Sequence, residues 1–176
     1  TSNLLNFNPV VTFTPGNNDV LSFTGNLNPR TLYIVYNDIS TASWTTGFTN
    51  NDGDGIGHGN GNDSQVYDTT YNPADVRNGN QHVNGLVTTL TSHPRPDNFE
   101  IISNVFVSNL SNASHTYYVG RDRTQTNRTI NGSVAEILLF TDAHDDPTRQ
   151  KVESYLELKV IASYKIAYQY RDSVVL

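Results

Sequence analysis

Short runs of β-branched and aromatic residues, separated by turn-forming residues, follow one another along most of this chain. The separators are rich in Asn, Gly, Asp and Pro, which favour tight turns over continued helices. The runs predict strands at residues 10–13, 20–23, 31–36, 42–49, 65–70, 85–90, 99–107, 115–120 and 133–140. Strands that follow each other closely without intervening helices are typical of an all-β antiparallel sandwich or jelly roll.

One segment near the end of the chain predicts a helix instead. We expect it at residues 146–159, because Asp145 or Asp146 can cap its first turn and Pro147 suits that turn. At helical spacing, one face of this segment carries Val152, Tyr155, Leu156 and Lys159. No internal repeat or linker interrupts the pattern, so we predict a single domain over residues 1–176.

The composition limits the classes of partner. The 176 residues include 17 acidic and 11 basic side chains, for a net charge of −6. No basic stripe is present, so nucleic acid and anionic membrane surfaces are not expected partners. No apolar run reaches the roughly 18 residues that a spanning helix needs, so no membrane insertion is expected. Because Cys is absent, a disulfide framework and a thiolate metal site are excluded.

The same composition predicts a location. Zero Cys, few Lys and many Asn and Thr residues are typical of exported bacterial surface proteins. Residues 1–8 do not form a signal peptide, and the first residue is not Met. We therefore expect a mature or excised part of a larger extracellular or cell-surface protein, with other domains of that parent protein as neighbours.

Three segments of the chain resemble a known family. The opening residues 7–13 read FNPVVTF, residues 116–121 read TYYVGR, and residues 131–140 read NGSVAEILLF. The last segment runs into RQKVESYL at residues 149–156. This order is similar to that of concanavalin A-like (laminin G-like) domains of bacterial surface proteins. The resemblance implies a jelly roll that binds sugars or proteins, and it does not fix a ligand.

A loop rich in Asn, Gly and Asp at residues 50–63 is the candidate metal site. Its alternating oxygen ligands, Asn50, Asp52 and Asp54, followed by a glycine, match the first half of an EF-hand-type calcium loop. The twelfth position is Gly61, where that motif has a bidentate Glu. These hard oxygen ligands predict weak binding of calcium as the cofactor, and the alternative is a plain flexible loop of turn-forming residues.

Four residues are candidates for contacting an organic ligand. Trp44 is the only tryptophan; it either stacks on a sugar ring or fills the core. Arg121 and Asp122 follow a predicted strand end and either bind sugar hydroxyls or form a solvated salt-bridged turn. His58 lies in the acidic loop, where a solvated histidine is the alternative. Because Trp44 precedes that loop, the two could form one site.

These features predict a non-catalytic extracellular binding module for a glycan or another cell-surface ligand. The alternatives are a glycan-cleaving enzyme, either a hydrolase or a lyase, and a structural spacer. Hydrolases of the laminarinase type pair carboxylates at alternate positions of one strand, whereas Glu100 and Glu136 have no second acid within four residues along their strands. Nucleophile motifs are also absent, so no catalytic residue is assigned.

Overall fold

The computed structural model describes residues 4–5, 8–17, 19–51, 65–110, 114–123, 125 and 127–161. The strands are β1 (Leu4–Leu5), β2 (Asn8–Pro9), β3 (Val11–Phe13), β4 (Leu21–Gly25), β5 (Thr31–Asp38), β6 (Phe48–Asn50), β7 (Asn80–Val83), β8 (Leu86–Val87), β9 (Glu100–Val105), β10 (His115–Val119) and β11 (Gly132–Phe140). The helices are α1 (Ala74–Arg77) and α2 (Asp146–Leu156), and a π-helical turn follows α2 at Glu157–Ile161.

Two antiparallel sheets form the body of the protein. The larger sheet has six strands in the order β3-β11-β5-β9-β7-β8, and the smaller has three in the order β4-β10-β6. Strands β1 and β2 pair separately as a two-stranded ribbon. The predicted all-β class with a C-terminal helix is therefore confirmed at the level of two packed sheets. None of the described helices has the length and apolarity that crossing a bilayer requires.

Strand β5 lies at the centre of the fold and is buried on both faces. Leu32, Ile34 and Tyr36 belong to the core that the two sheets share. Tyr33 and Val35 point to the opposite face and pack in a second cluster beneath α2. This arrangement follows from the period of two in a strand, because a run that is apolar at every position must be covered on both sides.

Helix α2 begins as predicted and ends earlier. Asp145 caps it by accepting a hydrogen bond from the Thr148 backbone N–H at 2.9 Å, and hydrogen bonds with the Thr148 side chain and backbone lower the pKa of the Asp145 carboxyl. The helix ends at Leu156, three residues before the predicted end. Of the residues predicted to share one face, Leu156 is buried and Tyr155 is 52% exposed. The helix instead buries Arg149, Glu153 and Leu156, because a buried ion pair, rather than an aromatic ring, faces the sheet.

Three predicted strands differ from the structure. The segment 42–49 forms a strand only from Phe48, and 65–70 contributes one isolated bridge, from Gln65 to Pro94, before it turns. The segment 85–90 contributes only the short β8. The polar stretch at residues 72–84, for which no strand was predicted, contains β7, which pairs with β9. Backbone pairing with a central strand thus outweighs the weak strand preference of this polar segment.

Candidate functional site

A surface cleft of about 160 Å³ is lined by two aromatic and two basic residues, Trp44, Tyr71, Arg123 and Arg128. These residues come from three separate connections of the chain. The first connection precedes β6, the second precedes α1, and the third joins β10 to β11. The cleft is therefore a product of the tertiary fold, because none of the three segments contains all of the groups that form it.

The two aromatic rings form a corner. Their centroids are 4.8 Å apart, and the planes of Trp44 and Tyr71 meet at 78°. The Arg128 guanidinium lies 5.4 Å from the centroid of the Trp44 ring, a cation–π geometry. Trp44 is half-buried and belongs to neither core cluster, whereas Tyr71 is 61% exposed. Of the two alternatives for Trp44, the structure therefore places it in the surface cleft.

A buried carboxylate holds the two arginines. Asp122 is fully buried and accepts hydrogen bonds from Arg128 Nη1 at 2.6 Å and from Arg123 Nε at 2.9 Å. The neighbouring Arg121 donates from Nε to the carbonyl of Arg123 at 3.1 Å. The predicted pair Arg121 and Asp122 thus adjoins the cleft without lining it, and the Asp122 carboxylate sits behind the guanidiniums and orients them.

The connection that carries Trp44 is fixed by a buried polar network. Asp38 accepts hydrogen bonds from the Ser40 backbone N–H at 2.9 Å and from Thr45 Oγ1 at 2.8 Å. Arg95 donates to the Thr45 hydroxyl and lies 3.6 Å from the Asp38 carboxylate. Trp44 has φ = +65°, a conformation that costs about 1–3 kcal/mol for a non-glycine residue. The surrounding hydrogen bonds offset that cost and hold the ring in place.

The turn that carries Tyr71 is also fixed by side chains. Asp68 accepts hydrogen bonds from the backbone N–H groups of Thr70 and Tyr71, both at 2.6 Å. Asn72 accepts one from the Asp68 N–H at 2.7 Å, and Arg77 Nε donates to the Asn72 carbonyl at 2.7 Å. Bonds of this kind compete with strand pairing, which explains why the predicted strand at 65–70 is a turn.

Sequence reasoning missed three of the cleft residues. Tyr71 carried a weak local signal, because it follows an Asp that caps its turn. Arg123 adjoins the predicted pair at residues 121 and 122. Arg128 carried no local signal, since it reaches Trp44 only through the fold of the connection after β10.

The predicted metal site lies mostly outside the described residues, as do its ligands Asp52 and Asp54 and the predicted ligand-binding residue His58. Asn50 is described: it is 3% exposed at the end of β6, and its Oδ1 has no hydrogen-bond partner among the described residues. The described part of the chain holds no cluster of three or more His, Asp or Glu side chains that would suit a metal ion. Calcium binding stays a prediction.

That prediction has a direct thermal test. We expect calcium at tenfold excess over its Kd to raise the melting temperature by about 3–6 °C, because an ion that binds only the folded state stabilises it by mass action. The double substitution Asp52→Ala with Asp54→Ala should abolish the shift, while Asp97→Ala, at an exposed acid elsewhere, should keep it. Equal melting with calcium and with chelator in the parent chain would rule out the site.

A larger cavity of about 320 Å³ lies between α2, the β7–β8 turn and the start of β9. It is lined by Asn84, Gly85, Phe99, Ile101, Gln150, Glu153, Ser154 and Glu157. Its buried charge, Glu153, is already paired with Arg149 and accepts a hydrogen bond from Ser103 Oγ at 2.5 Å. These contacts join the helix to the sheet, so the cleft at Trp44 is the better candidate for a ligand site.

Comparisons of this chain with protein-family models, with the curated proteins and with the solved structures each find no match. The resemblance to laminin G-like domains therefore stays a prediction. The fold and the cleft together define the structural class of this protein: a domain of two packed antiparallel sheets with a surface site lined by aromatic residues and arginines.

Proposed function

We propose that this chain is a non-catalytic glycan-binding module of a larger extracellular protein, and that the cleft at Trp44 is its ligand site. The observation that supports this most is the exposed Tyr71 ring, set nearly perpendicular to Trp44 with guanidinium donors beside it. Sugar rings offer an apolar CH face and an edge of oxygen acceptors. An aromatic plane flanked by N–H donors suits both at once.

The rigidity of the cleft supports binding. The connections that carry Trp44, Tyr71 and Arg123 are each held by hydrogen bonds to a buried carboxylate, from Asp38, Asp68 and Asp122 respectively. A site that is ordered before its ligand arrives spends less of the interaction energy on ordering side chains. The proposal includes the jelly-roll class that the family resemblance implies, since two antiparallel sheets around a shared core are what that class requires.

The enzyme alternative is less well supported by this cleft. A glycosidase of the usual kind needs two carboxyl groups that flank the scissile bond. The acid at this cleft, Asp122, is buried and engaged by two arginines, and the residues that line the cleft supply aromatic and guanidinium groups. Glycan binding without product release would indicate a binding module rather than an enzyme. A protein that neither binds nor cleaves glycans would be the structural spacer.

Removing the exposed ring should weaken glycan binding without unfolding the protein. We expect Tyr71→Ala to reduce affinity for a glycan-array ligand by about tenfold or more, equivalent to about 1.4 kcal/mol, because an aromatic contact is lost. Trp44→Ala should reduce the affinity further, because it removes the ring that contacts both Tyr71 and the Arg128 guanidinium. Isothermal titration calorimetry gives the affinities, and thermal melting checks the fold.

The matched control is Tyr155→Ala, which removes a similarly exposed ring from α2. It should leave glycan affinity unchanged. Unaltered affinity in both cleft variants would show that the ligand binds elsewhere. Release of reducing sugar or unsaturated product from a polysaccharide panel would contradict the non-catalytic assignment.

A further inference from the structure

We infer that the glycan bound at this cleft is acidic: a saccharide whose carboxylate or sulfate group is received by Arg123 and Arg128. The inference rests on the proposed function and names the ligand class of the same site. Three observations support it: the net charge of the cleft, the guanidinium N–H groups that do not point at Asp122, and the contact of Arg128 with the Trp44 ring.

The cleft has a surplus of positive charge. Among the described residues that line the cleft or pair with its arginines, Arg123 and Arg128 bring two positive charges and Asp122 brings one negative charge, which leaves +1. The carboxylate side chain is 0% exposed, while those of Arg123 and Arg128 are 33% and 25% exposed. The negative charge therefore lies inside and the guanidiniums face the solvent. This local sign is opposite to the net charge of the whole chain, which is −6.

The ion pairs use only some of the available donors. Arg128 donates to Asp122 from Nη1, and Arg123 donates from Nε, with a longer contact of 3.5 Å from Nη2. A guanidinium has five N–H donors in a fixed planar fork. Each arginine thus keeps N–H groups beyond those that point at Asp122, and this fork matches carboxylate or sulfate oxygens in a two-point contact.

The aromatic ring prepares Arg128 for an anion. Its guanidinium lies over Trp44 and is anchored from behind by Asp122, so its orientation is held from two sides. An acidic sugar would place its CH face against the Tyr71 ring and its charged group at the arginines. A neutral sugar offers the guanidiniums hydroxyl acceptors but no negative charge, so its hydrogen bonds there are weaker than those of an anion, and a cationic sugar would be repelled.

Matched pairs of saccharides provide the test. We would titrate the protein with oligogalacturonate and its fully methyl-esterified form, and with dextran sulfate and unmodified dextran. The acidic member of at least one pair should bind about tenfold or more tightly than its neutral partner, and added salt should reduce the difference. The first pair reports on carboxylates and the second on sulfates, so the preferred anion follows from which pair responds.

Substitutions locate the effect. Arg123→Gln and Arg128→Gln should each lower the affinity for the acidic saccharide by about tenfold and lower the preference over the neutral partner. Lys151→Gln makes the same charge change at an exposed position on α2 and should alter neither. If a glutamine variant unfolds because Asp122 loses a partner, the salt dependence of the parent chain still reports on the charged contact.

The outcomes separate the inference from the function on which it rests. If neutral glycans bind as tightly as acidic ones, and Tyr71→Ala still weakens binding about tenfold or more, the cleft is a glycan site and its acidic selectivity is disproved. If acidic saccharides bind equally well to both glutamine variants, the arginines are not the receiving groups and the inference fails. If no glycan of an array binds, the proposed function fails and the inference fails with it.

Discussion

Gly120→Ala is expected to destabilise the protein by about 2–5 kcal/mol, the sum of a backbone cost and an overpacking cost. Gly120 has φ = +79°, which an alanine adopts only with strain. A Cβ atom there would lie 2.4 Å from two ring carbons of Phe13, which is 1% exposed. The Gly120 N–H donates to the Gly47 carbonyl, and the Gly120 carbonyl accepts from Ile130 N–H, both at 2.9 Å, so the backbone has little room to move.

Gly16→Ala is the matched control for this substitution. Gly16 has φ = +90° and no atom within 4 Å of the added Cβ, so it carries the backbone cost alone, about 1–2 kcal/mol. Urea unfolding of both variants would isolate the contribution of the Phe13 contact. An equal loss of unfolding free energy in the two variants would show that the Phe13 ring moves to accommodate the added Cβ atom at little cost. Because Gly120 directly precedes the turn at residues 121–123, a folded Gly120→Ala variant should also bind glycan more weakly.

Glu153→Ala is expected to destabilise the protein by up to about 3–5 kcal/mol, because it removes the buried partner of Arg149 and leaves only the exposed Asp146 carboxylate, 3.3 Å from Arg149 Nε, to compensate the charge. The side chains of Arg149 and Glu153 are 5% and 8% exposed. Both lie on α2, and they form an ion pair on the face of the helix that covers the sheet. Ser103 on β9 donates to the same carboxylate at 2.5 Å, so the substitution also removes a hydrogen bond between helix and sheet. Denaturant unfolding monitored by circular dichroism measures the loss.

Two further variants test the cause of that loss. Glu157→Ala removes an exposed carboxylate one turn later and should change stability by less than about 0.5 kcal/mol. Replacing Arg149 and Glu153 together with Leu should recover most of the loss, since no unpaired charge remains beneath the helix. A double variant as unstable as Glu153→Ala would show that helix packing, rather than the buried charge, determines the effect.

Local sequence patterns determined the fold class and the main elements. Residues 32–36 are apolar or aromatic at every position, and this run alone predicted a central strand covered on both faces. Strand β9 was predicted from the β-branched and aromatic residues that recur on both faces of the segment 99–107. Asp145 and Pro147 predicted the start of α2, because capping depends on residues that are close in sequence. These features arise from neighbours along the chain, which is why the sequence contains them.

Only the tertiary structure decided where the candidate site lies. An aromatic residue in a short predicted strand suits a core and a surface site equally. Trp44 lies at the surface because hydrogen bonds from Thr45 to Asp38 and from Arg95 to the Ala42 carbonyl fix its segment as a connection, so that β6 begins only at Phe48. Tyr71 and Arg128 meet Trp44 from distant parts of the chain. Hydrogen bonds and ring contacts between residues far apart in sequence depend on the packing of whole sheets. No local pattern records them, and that is the physical reason why the cleft could not be predicted.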